Sequence, residues 1–170
     1  VPEFKAGTLS ITSVIFTDKP EKAKDGDPLT IGDYRLIPHA GKYQSGDSVA
    51  AFFVIYGASK AGGGYKMKAQ LTYRLVAGAA HKDEKSSKLN FKKGENVLET
   101  AGPAFASTSP MLGTGITIPG APKPAMITPG GGKPYEVPLR WTEFKIKAKI
   151  TDENSGASID TDWYDLPLEK

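Results

Sequence analysis

Apolar and polar positions alternate most cleanly near the C-terminal end of the chain. In residues 141–166 (WTEFKIKAKITDENSGASIDTDWYDL), Phe144, Ile146, Ala148 and Ile150 fall on one side of an extended backbone, and Lys145, Lys147 and Lys149 on the other. A second run puts Ile159, Thr161 and Trp163 on one face and Asp160, Asp162 and Tyr164 on the opposite one. Period-two alternation is the mark of a strand with one face on a core and one in water. Glu153, Asn154, Ser155 and Gly156 supply turn formers between the runs. One hairpin register satisfies both faces: Ile150 opposite Ile159, Ala148 opposite Thr161 and Ile146 opposite Trp163. It also sets Lys149 against Asp160 and Lys147 against Asp162, and a one-residue slip would oppose Lys to Ile throughout.

The same reading extends along the chain. Residues 9–16 (LSITSVIF) predict a first strand, with Leu9, Ile11 and Ile15 on one face and Val14 and Phe16 on the other. Residues 17–28 predict a solvated loop. Residues 31–37 predict a short strand ended by Pro38. The turn Gln44-Ser45-Gly46-Asp47 leads into residues 48–56 (SVAAFFVIY), apolar on both faces and therefore expected at the centre of a sheet. After the Ala61-Gly62-Gly63-Gly64 link, Met67, Ala69, Leu71, Tyr73 and Leu75 point inward, and Lys66, Lys68, Gln70, Thr72 and Arg74 outward. Residues 81–87 form a charged loop. Leu89, Phe91, Val97 and Leu98 mark a weaker strand pair or one bulged strand. The chain shows no internal repeat.

Residues 101–138 are so rich in Gly and Pro that they are expected to form an irregular insertion, with short strands at most near residues 116–118 and 126–128. The apolar side chains Met111, Leu112, Ile116, Ile118, Met126 and Ile127 are candidates for partner contact there, since such groups must fold back over an edge or meet another surface. Seven or so short strands between turns predict a single all-β domain over residues 1–170. The expected architecture is a two-sheet immunoglobulin- or fibronectin-III-like sandwich with a long Gly/Pro-rich insertion.

Composition adds few constraints. A chain of 170 residues with 39% hydrophobic content, 19 glycines and 13 prolines suits a turn-rich domain with a real core. The net charge of +3, from 22 basic and 19 acidic residues, is no electrostatic case for nucleic acid. The longest apolar run falls far short of the roughly 20 residues of a membrane span. No cysteine is present, so disulfide and thiolate chemistry are absent. With no signal peptide visible and Val1 at the start, a trimmed or mature fragment is expected.

Candidate chemistry is sparse. His39 and His81 lack ligand-spaced partners and read as exposed loop residues. No nucleophile elbow or phosphate loop is found, so an enzyme is not expected, nor a cofactor. Asp25-Gly26-Asp27 and Asp152-Glu153-Asn154 gather oxygens in turns without the spacing of a calcium loop, and no metal is expected. Trp141, Tyr135 and Tyr164, if exposed side by side, would make a platform for sugar rings, while Trp163 is expected in the core.

The stretches DPLTIGDYRLIPHAGKYQSGDSVAAFFVIYG (residues 27–57) and EFKIKAKITDENSGAS (residues 143–158) resemble a sandwich domain of bacterial extracytoplasmic proteins. They are similar to the domains that follow von Willebrand factor A-type modules in secreted proteins. The resemblance covers about half the chain and rests on structural motifs. It implies a non-catalytic module outside the cytoplasm that contacts another protein or a flanking domain of its own chain. A carbohydrate-binding module is the alternative reading.

Overall fold

The computed structural model describes residues 8–18, 20–28 and 30–169. Among them no α-helix occurs, and the chain builds antiparallel sheets. The first joins β1 (Ser10–Thr17), β5 (Ser48–Tyr56) and β8 (Met111–Thr117) in the order β1-β5-β8. The second has the order β12-β11-β6-β7, from β6 (Met67–Ala79), β7 (Val97–Ser107), β11 (Leu139–Asp152) and β12 (Ala157–Asp160). β13 (Tyr164–Leu166) also pairs with β11. Two small sheets complete the described residues. One is β2 (Glu21–Lys22), β4 (Tyr34–Arg35) and β3 (Thr30–Ile31), and the other is the hairpin of β9 (Ala125–Ile127) and β10 (Tyr135–Val137).

The two larger sheets enclose one core. β5 contributes Val49, Ala51, Phe53 and Ile55 from one face, and β8 adds Leu112 and Ile116. The other sheet supplies Met67, Ala69, Leu71 and Leu75 of β6 and Phe144, Ile146, Ala148 and Ile150 of β11. The inward faces expected of β6 and β11 are thus the observed ones, with Tyr73 half-buried. β5 is central in its sheet, as its apolar composition predicts.

Among the described residues the sheets carry four one-residue irregularities; one lies between Trp141 and Glu143 of β11, and the other three change the assignments made above. In β1 a bulge lies between Ile11 and Ser13, so Ile11 faces Ile55, Val14 faces Phe53 and Phe16 faces Ala51. Ile11, Val14 and Phe16 therefore all pack on the core, correcting the expected split of Val14 and Phe16 to the other face. In the C-terminal hairpin, Ile150↔Ile159 and Lys149↔Asp160 pair as expected. Thr161 then bonds twice to Ala148: its N–H donates to the Ala148 carbonyl at 2.9 Å, and its Oγ1 accepts the Ala148 N–H at 2.9 Å. One extra residue is spent there, so Ile146 faces Tyr164 rather than Trp163. Tyr164 meets Phe16 edge-on, 5.3 Å between ring centres. Trp163 moves to the outer face beneath the Lys147 ammonium (4.8 Å) and the Arg74 guanidinium (6.0 Å), a cation–π stack in place of the expected core position.

The third irregularity lies in β7 opposite Gln70 and Thr72, and it takes up the Gly102-Pro103 pair. Residues 101–117 are consequently no insertion. They supply the second half of β7 and all of β8, whose seven pairs with β5 run without a break. The prolines are compatible with this because they avoid ladder donors. Pro103 sits in a strand bonded on one side only, and Pro110 gives only its carbonyl, to the Ile55 N–H at 2.9 Å. Residues 31–37 likewise are not one strand: β3 and β4 turn back on each other through Gly32, φ +57°.

Candidate functional site

The outer face of β5 and β8 carries an apolar groove. Phe52 and Gly113 are register partners of a pair whose backbone bonds point elsewhere, the closer of the two antiparallel pair types. With no side chain on Gly113, the Phe52 ring lies across it: a Cβ there would sit 2.7 Å from the ring. The ring, 9% exposed, becomes a floor. Tyr34 from the β3–β4 hairpin, Phe105 from β7 and Met111 from β8 stand around it, exposed by 51%, 43% and 41%. Two confluent depressions of about 840 and 330 Å³ share Tyr34, Phe52, Phe105 and Gly113. Asp18 and Asp33 are the charged residues among the described groove linings.

Of the six residues singled out for partner contact, Leu112 (5% exposed), Ile116 (8%) and Ile118 (1%) are core and not available to a partner. Even-numbered positions of β8 face the other sheet, which is the reason. Met111 borders the groove, Met126 is exposed on the small β9–β10 hairpin, and Ile127 is half-buried there. Tyr34 and Phe52 are not singled out by the sequence. The available signal is Gly113 and Gly115 alternating in MLGTGIT, small residues that leave open the face on which Phe52 of the buried strand stands.

The aromatic trio does not form one platform. Trp141 packs on the core and donates its indole N–H to the Gly120 carbonyl at 3.0 Å. Tyr135 lies under the Lys85 ammonium, 5.7 Å away, and Tyr164 is against Phe16.

Two polar clusters tie loops to the sheets. His39 is not a free loop residue: its ring stacks on buried Tyr43 at 3.8 Å, and its Nδ1 bonds the Asp18 carboxylate. Burial pushes the Tyr43 phenol up to about 12, with the Asp18 and Asp47 carboxylates adding to it. Asp152, wholly buried, accepts the Ser59 N–H (2.8 Å), the Asn154 N–H (3.0 Å) and the Ser155 hydroxyl (2.7 Å). Burial alone would raise its carboxyl, but those donors outweigh it and hold the group below the ordinary carboxylate range. The Asn154 amide donates to the Ser59 and Gly64 carbonyls at 2.8 and 2.9 Å. The cluster clamps the β5–β6 connection to the β11–β12 turn. Asp27 in the other acidic turn accepts the Lys24 N–H at 2.8 Å and faces Arg35 at 3.6 Å. No cluster of three or more His, Cys, Asp or Glu side chains suited to a metal ion occurs among the described residues, and no helix there is long and apolar enough to cross a membrane.

Neither a protein-family model nor a curated protein matches the chain.

Proposed function

We propose that this chain is a non-enzymatic, extracytoplasmic sandwich module of the immunoglobulin/fibronectin-III kind that holds another protein or a flanking domain. The observation that carries this reading is the groove over Phe52, walled by Tyr34, Phe105 and Met111. Large apolar side chains placed together on a surface mark sites of association, since their burial against a partner removes apolar area from water. Aromatic residues and methionine are also the side chains that protein interfaces favour. The two sheets with one shared core support the sandwich assignment. The bacterial and extracytoplasmic setting rests on the resemblance of residues 27–57 and 143–158 to secreted sandwich domains.

A photo-crosslinking residue at position 105 tests the reading in the native cell, with position 92 as control. One protein or domain captured from 105 and not from 92 supports it. Identical adduct patterns from both positions refute it.

A further inference from the structure

Resting on the groove as the contact surface, we infer that β8 accepts an extended peptide as an added strand, with a basic residue beside its apolar positions. The inference comes from how the sheet edges are finished. Exposed edges invite pairing, and proteins block them with bulges, prolines, charges or short strands. β1 is bulged between Ile11 and Ser13, and at its far end the Phe16 carbonyl accepts the His39 N–H at 3.2 Å. β7 carries Glu99, Pro103 and a bulge. β12 and β13 are four and three residues long and carry Asp160 and Asp165. β8 (MLGTGIT) has none of these devices: no charge, no proline, and an unbroken register with β5.

The open side of β8 can be assigned atom by atom. Ile118 N–H donates to Asp47 O, and Pro110 O accepts from Ile55 N–H, so the even-numbered residues turn their backbone groups toward β5. Alternation then directs the N–H and C=O groups of Met111, Gly113, Gly115 and Thr117 away from it, and the Met111 N–H is taken by the Ser109 hydroxyl oxygen at 3.1 Å, which leaves the donors of Gly113, Gly115 and Thr117 for an incoming strand. Among the described residues, no strand pairs with β8 on that side. The depression beside Gly113 and Gly115, bounded by Pro103 and Phe105, would receive alternate side chains of the added strand. Main-chain bonds with pockets for every second side chain are the means of strand-addition recognition.

The occupant follows from charge. Asp33, together with Asp18 beside its bond to His39, gives the described rim an acidic character in a chain of net charge +3, which a Lys or Arg in the incoming peptide complements.

The test uses a displayed library of eight-residue peptides, selected on the intact chain. A selected peptide is then synthesised and its effect on amide hydrogen exchange measured. Expected are peptides alternating apolar residues with at least one Lys or Arg, slowed exchange at Gly113 and Gly115 but little change at Thr114, and binding weakened at least tenfold by Phe105→Asp. Thr117→Pro, which removes one open donor at a strand end, weakens binding also. N-methylation of alternate peptide amides abolishes it in one phase only. Phe105-dependent binding without protection of Gly113 and Gly115 overturns strand addition and leaves the groove reading standing. Concentration-dependent protection of those amides without peptide overturns it in favour of self-pairing. Failure to select any peptide on the wild type over the Phe105 variant also overturns it, while crosslinking from position 105 judges the groove separately.

Discussion

Asp152→Ala tests whether the buried carboxylate clamp stabilises the domain. Asp152 receives three donors, from Ser59, Asn154 and Ser155. A hydrogen bond to a charged group contributes about 1.5–3 kcal/mol, and a donor left buried and unmatched loses it in full. All three contacts are part-buried, with Ser59 and Asn154 half-buried and Ser155 exposed, so water replaces part of each lost bond. Counting each of the three at about two-thirds gives a gross loss of about 3–6 kcal/mol. Relief of the carboxylate's own desolvation offsets one or two of these, leaving about 2–4 kcal/mol. The pH dependence gives an independent reading. Because the folded carboxyl lies below its ordinary value of 3.8, its contribution is present above the unfolded pKa and lost as pH falls through the folded pKa. Urea unfolding of wild type and variant should therefore show the full gap near about pH 7 and a closing gap in stronger acid. Asp160→Ala, on the exposed part of the same hairpin, serves as control and should change stability by less than about 0.5 kcal/mol. A gap for Asp152→Ala no larger than the control's, or one unchanged by acid, would refute the argument.

Ile146→Ala, at a site 1% exposed between the sheets, should cost about 2–5 kcal/mol, and an unmoved denaturation midpoint would show the site is not core. Deleting residues 111–133 with a Gly/Ser bridge removes β8 from the core sheet, so the product should be unfolded or aggregated; a folded product in circular dichroism and melting would contradict the pairing of β5 with β8. Melting in excess EDTA should match melting in calcium, because the Asp152 and Asp27 oxygens are already engaged by protein donors. A large upward shift with calcium would count against that account.

The alternation within β6 and β11 was legible because each strand has one apolar and one polar face, and only one phase buries the apolar set. β5 was legible as a central strand for the opposite reason, since a run apolar on both faces suits a strand with neighbours on both sides. The turn at residues 153–156 carried its own chemistry in Asn, Ser and Gly. What escaped were features that leave no mark in local composition. A bulge inserts one residue without altering which residues are apolar, so nothing in the 161–163 triplet says that Tyr164 rather than Trp163 will face Ile146. Proline density in residues 101–138 argued against strands, yet Pro103 is tolerated because β7 is bonded on one side only, a fact of sheet order rather than of sequence. The same holds for Asp152. Its burial and its three donors exist only once the β5–β6 connection is brought against the β11–β12 turn from more than 90 residues away. The groove is tertiary for that reason too. Tyr34, Phe52, Phe105 and Gly113 come from four separate segments, each ordinary by itself, and only the packing of two sheets and a small hairpin makes them neighbours.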